Sequence, residues 1–194
     1  MSRVVHPIEQ ESFRRLRDRL DTSGFPPLSR AVMERVIHSS ADLGYASDLV
    51  LEERALERAH AALHDGAPVV VDVEMVAAGI TRRATVCRLE DARSGPGLTR
   101  SAHAVRLAYE EVGPGALWVI GCAPTALEEL LRLDVSPALV IGLPVGFVGA
   151  AESKAALRES GLPAVSNVSE KGGSAVAAAA LNALLYHPTS KESP

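Results

Sequence analysis

The chain has 194 residues, 47% hydrophobic and 23% charged, with a formal net charge of -4 at pH 7. This length and apolar content predict one α/β domain over residues 1–194. The dispersed basic residues argue against nucleic-acid binding, because phosphate recognition needs a clustered basic face. We find no apolar run near the roughly 20 residues of a membrane span and no signal region, so we expect a cytoplasmic protein without a membrane partner.

The first third of the chain predicts helices, over about residues 8–64. Segments near 8–20, 28–40 and 53–64 have helical periodicity and are separated by TSGFPP and ADLGYASD. In the second segment Leu28, Val32 and Val36 form an apolar stripe, and His38 projects well away from it. We therefore do not expect His38 to be an ordinary core residue.

Strands and helices then alternate over about residues 67–186. The expected strands are VVVDVEM from residue 69, TVCRL at 85–89, LWVIG at 117–121, ALVIG at 138–142 and AVSNV at 164–168. The expected helices cover 99–112, a segment from Pro124, about 149–160 and about 173–185. This alternation predicts a three-layer αβα sandwich with a mainly parallel, doubly wound sheet. We expect the tail, residues 187–194, to be disordered.

Three loops punctuated by glycine or proline follow predicted strands and lead into helices: GCAPTAL, GLPVGFVGAAES and SEKGGSA. Free backbone N–H groups at such helix starts favour an anionic ligand at the carboxyl ends of the strands. Any one of these loops is explained equally well by a tight turn. The chain has no GxGxxG, GxxxxGK[ST] or GxSxG, which disfavours a nucleotide-binding enzyme and a serine hydrolase.

Charged residues near these loops have both functional and structural interpretations. Asp72 and Glu74 share one face of a predicted strand, where they either act on a substrate or cap and salt-bridge the loops at the strand ends. Arg82 and Arg83 follow in GITRRA, and Arg100 stands at a predicted helix start, where the helix dipole disfavours a cation. Its position indicates either a ligand carboxylate or a structural ion pair.

Metal and disulfide chemistry have weak signals. His60 and His64 lie four residues apart on a predicted helix, but the glutamate of HExxH is missing, so we expect a surface pair and no metal site. Cys87 and Cys122 occur singly in apolar surroundings, so we expect reduced core residues.

Six collinear stretches support a more specific interpretation: ERVIHSSADLGY, GAPVVVDVEMVAAGITRR, LTRSAHA, IGCAPTALEELL, GLPVGFVGAAESKAAL and EKGGSAVAAAALNAL. Over nearly the whole chain they resemble the precorrin-8X methylmutase family of cobalamin biosynthesis, also called precorrin isomerases. The resemblance implies an isomerase that converts precorrin-8X to hydrogenobyrinic acid by a [1,5]-sigmatropic methyl shift from C-11 to C-12. The cobalt-precorrin-8 equivalent would give cobyrinic acid. The resemblance also implies that no cofactor is needed and that the protein is a homodimer.

The resemblance implies the site residues as well. His38 is expected to be catalytic, as the proton donor to the macrocycle. The expected substrate contacts are Ser12, Thr81, Arg100, Ser101, Gly172, Gly173 and Ser174. For Ser12 and Ser174, local helix capping is an equally good interpretation from the residues alone.

Three residues, at two places in the chain, depart from the family pattern. Ser169-Glu170 stands where members commonly have Gly-Arg, and Cys122 replaces a common asparagine. The alternative to an isomerase is a tetrapyrrole-binding carrier of the same fold without turnover. Retention of His38 favours the enzyme, because a carrier has no need of a placed acid.

Overall fold

A computed structural model of the chain describes residues 5–188, which form nine helices and five strands. The helices are α1 Pro7–Arg17, α2 Pro27–Ser40, α3 Tyr45–Asp48, α4 Glu53–His64, α5 Glu74–Gly79, α6 Arg100–Val112, α7 Pro124–Arg132, α8 Ala150–Glu159 and α9 Ser174–Tyr186. The strands are β1 Leu49–Leu51, β2 Val69–Val71, β3 Leu117–Ile120, β4 Leu139–Gly142 and β5 Ala164–Asn167.

The five strands form one sheet in the order β1-β5-β4-β3-β2. Strands β2 to β5 are parallel, and only β1, at the edge, is antiparallel to its neighbour. Helices cover both faces, which confirms the predicted α/β class with a mainly parallel sheet. The loops that follow β2, β3, β4 and β5 lie along one side of the sheet, which we call the rim (residues 72–73, 121–123, 143–149 and 168–173).

Alternate strand residues belong to the two layers of the core. Leu117 and Val119 pack in the layer that contains α2, α4, α5 and α9, whereas Trp118 and Ile120 pack against α6, α7 and α8. All four side chains are almost fully buried, as are those of β4. A central parallel strand is covered on both faces, so it is apolar at every position rather than at alternate ones.

The structure differs from the sequence expectations at several element boundaries. VVVDVEM does not stay extended: β2 ends at Val71 and α5 begins at Glu74. TVCRL contributes only an isolated bridge between Val70 and Val86 rather than a strand. Strand β1 was not predicted, and the first helix ends at Arg17 instead of residue 20. Of the tail expected to be disordered, residues 189–194 lie outside the described residues.

Helix α1 lies on the outer surface of α2 and is held mainly by polar contacts, because Leu16 is its only buried residue. Arg17 makes two hydrogen bonds to the buried carboxylate of Glu34, at 3.0 and 2.6 Å. Arg35 pairs with Glu9 at 2.9 Å, and both side chains are largely buried. The placement of α1 on α2 therefore depends on charged groups that leave water, and such pairs lose strength when the carboxylate is protonated.

The Glu34→Gln variant tests this dependence. Burial alone would raise the pKa of Glu34, but hydrogen bonds from Arg17, Thr22 and Arg30 hold it at about 2, below the ordinary value of 4.5. The carboxylate thus stabilises the fold above about pH 4.5, and this contribution is lost as the pH falls towards 2. We expect Glu34→Gln to lower the free energy of unfolding by ~2–3 kcal/mol at pH 7 and by much less near pH 2.

Urea unfolding from pH 7 to pH 2 measures that difference. The matched control is Glu57→Gln, at an exposed position on α4. An energy gap between wild type and Glu34→Gln that stays constant across this range would contradict the assignment.

Candidate active site

Ser12 on α1 and His38 on α2 meet at a hydrogen bond of 2.7 Å between Ser12 Oγ and His38 Nδ1. His38 lies in the last turn of α2, and the C-cap residue Ala41 that follows the helix has the left-handed conformation with φ 54°. The His38 ring also stacks on Phe13, with centroids 5.0 Å apart and planes inclined by 17°. The imidazole is thereby fixed in direction through one ring nitrogen and one face.

A cavity of about 590 Å³ opens beside this pair. Apolar side chains line much of it, and its polar lining consists of Ser12, His38, Arg19 and the ion pair of Arg15 with Glu11. Such a mixture of apolar walls and a few placed polar groups is typical of sites for organic ligands. The arrangement suits a ligand with an apolar body and acidic side chains.

A series of ring and guanidinium contacts leads from His38 to Thr81. Arg35 lies over Phe13 with its central carbon 5.6 Å from the ring centroid, and over Tyr186 at 4.9 Å. The Tyr186 hydroxyl shares a hydrogen bond with the Thr81 hydroxyl. Thr81, although distant in sequence, therefore belongs to the same surface as the Ser12–His38 pair.

Gly172, Gly173 and Ser174 lie at the rim, where the chain leaves β5 and enters α9. The Gly173 N–H donates to the Leu143 carbonyl at 2.9 Å, which joins the loops after β4 and β5. Gly173 takes the N-cap position of α9, and no side chain caps this helix. Ser174 is buried and does not cap the helix with its hydroxyl, contrary to the capping alternative.

The segment before these glycines is held by charged groups from elsewhere in the chain. Asp48 accepts hydrogen bonds from the Ser169 N–H at 2.8 Å and the Ser169 hydroxyl at 2.7 Å. The fully buried Lys154 donates to Asn167 Oδ1 and to the carbonyls of Ser169 and Lys171. Burial lowers the pKa of Lys154 to about 8. Ser169, one of the departures from the family pattern, is thus an integral part of the loop.

Close backbone approach requires glycine at position 172. A Cβ atom built there would lie 2.3 Å from the Leu143 carbonyl oxygen and 2.5 Å from that of Pro144. Neither oxygen can move without displacing the neighbouring loop, so we expect Gly172→Ala to cost ~2–4 kcal/mol of unfolding free energy and to weaken ligand binding. Chemical denaturation and binding titrations measure the two effects.

Gly173→Ala is the matched control for this substitution. Gly173 also has a positive φ of 127°, but nothing lies within 4 Å of an added Cβ. We expect the backbone strain without the collision and hence a smaller loss. Equal losses in the two variants would show that contact with the Leu143 and Pro144 carbonyls is not the cause.

Arg100 and Ser101 stand apart from the other candidates. They begin α6 on the face of the sheet opposite α2, and the Thr99 hydroxyl links this helix start to Thr125 on α7 at 2.8 Å. Arg100 is exposed. Within residues 5–188 neither side chain forms a hydrogen bond or an ion pair, so nothing in one chain joins them to His38.

Asp72 has a structural environment rather than an open one. Its carboxylate is 1% exposed and accepts hydrogen bonds from the backbone N–H groups of Gly121, Cys122 and Ala123 at 2.8 to 3.0 Å. Burial raises the pKa of Asp72 despite these donors. It fixes the loop after β3, so the structural interpretation holds. Cys122 in that loop is exposed, so the expectation of a core residue was wrong there.

The histidine pair on α4 contacts its own rings and the end of α9. His60 and His64 lie edge to face with centroids 5.3 Å apart, and His60 Nε2 contacts the His187 carbonyl at 3.2 Å. In the part of the chain that the structure describes, no three His, Cys, Asp or Glu side chains are grouped so that they could hold a metal ion. None of the helices between residues 5 and 188 is long and apolar enough to cross a membrane.

The α/β fold, with an oriented histidine beside a cavity of apolar and polar side chains, is the arrangement of a protein that binds an organic ligand. Comparison with known proteins gives the family. The family model described as precorrin-8X methylmutase matches residues 7–187. The chain belongs to this family, and it is an isomerase.

Individual relatives agree with this assignment. Cobalt-precorrin-8 methylmutase of Salmonella typhimurium is 43% identical, over 83% of this chain and 82% of the relative. Precorrin-8X methylmutase of Sinorhizobium sp is 39% identical, over 91% of this chain and 92% of the relative. The structure of precorrin-8X methyl mutase from Thermus thermophilus superposes with a TM-score of 0.82 at 36% identity, covering 93% of this chain and 96% of that one.

Proposed function

We propose that the chain catalyses the [1,5]-sigmatropic migration of a methyl group from C-11 to C-12 of precorrin-8X or its cobalt form, with His38 as the proton donor. A concerted shift needs only that the protein selects the reactive tautomer, holds the ring and places an acid near the migrating methyl. Relatives named for both substrate forms support the substrate class.

The hydrogen bond between Ser12 Oγ and His38 Nδ1 is the observation that carries this proposal. When the imidazole is protonated, Nδ1–H donates to the serine, which keeps the ring in a fixed orientation beside the cavity. The carboxyl end of α2 favours the cation, because the helix dipole is negative there. A positioned acid of this kind accelerates a reaction by about 10²–10⁴-fold.

The remaining candidates bind the substrate in this proposal. Thr81, Gly172, Gly173 and Ser174 contact the macrocycle or its carboxylates by hydroxyl and backbone groups. Arg100 and Ser101 lie on the far face of the sheet, so we propose that a homodimer supplies them from the partner chain. Sedimentation equilibrium tests the proposed homodimer, and a monomeric mass would contradict it.

Anaerobic incubation with enzymatically made precorrin-8X tests the proposed function. We expect the absorption spectrum of hydrogenobyrinic acid to develop with catalytic amounts of the cytoplasmic enzyme and no added cofactor. Tight binding of hydrogenobyrinic acid without any conversion of substrate would instead identify the tetrapyrrole carrier. Neither binding nor conversion would reject both.

A further inference from the structure

A second and larger cavity, of about 1070 Å³, lies between α1, α2 and the end of α9. Three arginines line it: Arg17, Arg35 and Arg82. Arg17 is neutralised by Glu34 at 2.6 Å, and Arg35 by Glu9 at 2.9 Å. Arg82 is exposed and forms no ion pair or hydrogen bond with any residue between 5 and 188. The cavity therefore presents one guanidinium whose donors are open to a ligand.

The Arg82 guanidinium is nevertheless held in position by an aromatic ring. Its central carbon lies over the Tyr186 ring, 4.9 Å from the centroid, and Arg35 contacts the same ring at the same distance. Tyr186 is in turn fixed by its hydroxyl contact with Thr81. The neighbouring Arg83 differs, because its Nη2 donates to the Ala67 carbonyl at 2.6 Å and so links two parts of the fold. Of the two consecutive arginines, one is structural and the other faces the cavity.

We propose that Arg82, held against Tyr186, binds one acidic side chain of the tetrapyrrole substrate. A guanidinium stacked on an aromatic ring keeps its planar set of N–H donors at the edge, where it matches the two oxygens of a carboxylate. Arg35 contacts the same ring but does not compete for the ligand carboxylate, because it is already paired with Glu9. This inference rests on the proposed function, and it names the group that sets substrate affinity in the larger cavity.

A series of side-chain contacts joins the lining of this cavity to the candidate acid, His38, which lines the smaller cavity. The contacts from His38 to Phe13, from Phe13 to Arg35, from Arg35 to Tyr186 and from Tyr186 to Arg82 are each between 4.9 and 5.6 Å. In this proposal a macrocycle with its reacting carbon near His38 extends one peripheral carboxylate along this series. Arg82 stands at its far end, where it acts on binding rather than on the chemical step.

Arg82→Gln tests the assignment through binding as well as turnover. We expect hydrogenobyrinic acid to bind ~10–100-fold more weakly and KM to rise by the same factor, with kcat nearly unchanged. Arg82→Lys keeps the charge but not the planar donors, so we expect it to recover part of the loss. Arg54→Gln, at an exposed position on α4, removes the same charge elsewhere and serves as the matched control.

The methyl ester of hydrogenobyrinic acid identifies what Arg82 binds. We expect wild type to bind the ester more weakly than the acid, and Arg82→Gln to bind the ester as wild type does. An Arg82→Gln variant with unchanged affinity for the acid overturns the proposal. A sedimenting mass of Arg82→Gln that differs from that of wild type also overturns it, because Arg82 would then bind a carboxylate of a partner chain. If wild type binds the product but does not convert the substrate, the proposed isomerase activity is wrong. The affinities of wild type and Arg82→Gln for the product still test the role of Arg82 in that case.

Discussion

His38→Ala is expected to lower kcat for the methyl shift by ~10²–10⁴-fold while leaving product binding close to that of wild type. The substitution removes the acid but not the cavity, whose apolar walls and remaining polar groups are contributed by other residues. The effect should therefore be on the chemical step and not on affinity. Anaerobic stopped-flow absorption and equilibrium titration with hydrogenobyrinic acid measure the two quantities separately.

Ser12→Ala separates positioning from acid catalysis in the same assay. Loss of its hydrogen bond at Nδ1 leaves the acid present but less well oriented, so we expect roughly a 10-fold loss in kcat. His60→Ala, on α4, is the matched histidine control and should keep wild-type rates. Full activity of His38→Ala would contradict the assignment of the acid.

Lys154→Met is expected to produce the largest loss of stability outside the apolar core, about 3 kcal/mol or more. Lys154 is 0% exposed, and its ammonium group is the shared donor for Asn167 Oδ1 and the carbonyls of Ser169 and Lys171. Methionine fills a similar volume but leaves these three oxygens without that donor. Because the segment leads directly into Gly172, product binding should weaken as well.

Lys171→Met provides the control within the same loop. Lys171 pairs with Asp42 at 2.7 Å, but its side chain is 46% exposed, and exposed pairs contribute less than about 1 kcal/mol. Urea unfolding of both variants, with hydrogen exchange of residues 168–173, compares the two lysines. Equal losses of stability would contradict the account of Lys154 as the group that fixes the loop.

The parallel core was predictable because its signals are local and long enough. Runs such as LWVIG and ALVIG are apolar at every position, and this pattern alternates with helical periodicity. Strand β1 has only three residues at a sheet edge, so its pairing with β5 depends on the tertiary fold and not on its own pattern. In VVVDVEM the β-branched residues favour an extended strand, so the pattern does not show that α5 begins at Glu74. That helix packs on α9, which is a tertiary contact.

Sequence pattern set His38 apart from the apolar stripe, and family resemblance supplied its expected role. The contact with Ser12 joins residues on two different helices, so no local pattern contains it. Arg35 precedes His38 by three residues, so the two side chains lie on the same face of α2. This spacing could have indicated from the sequence that Arg35 lies near the site. The buried donor role of Lys154 required the fold, because a lysine is normally expected at the surface.

The position of the migrated methyl group is the most direct test of the central claim. Precorrin-8X carrying ¹³C in the methyl group at C-11 would be incubated anaerobically with the enzyme, and the product would be examined by NMR. We expect the label at C-12 in the product of wild type, formed far more slowly by His38→Ala. A label that remains at C-11 after complete reaction with wild type would contradict the proposed methyl shift.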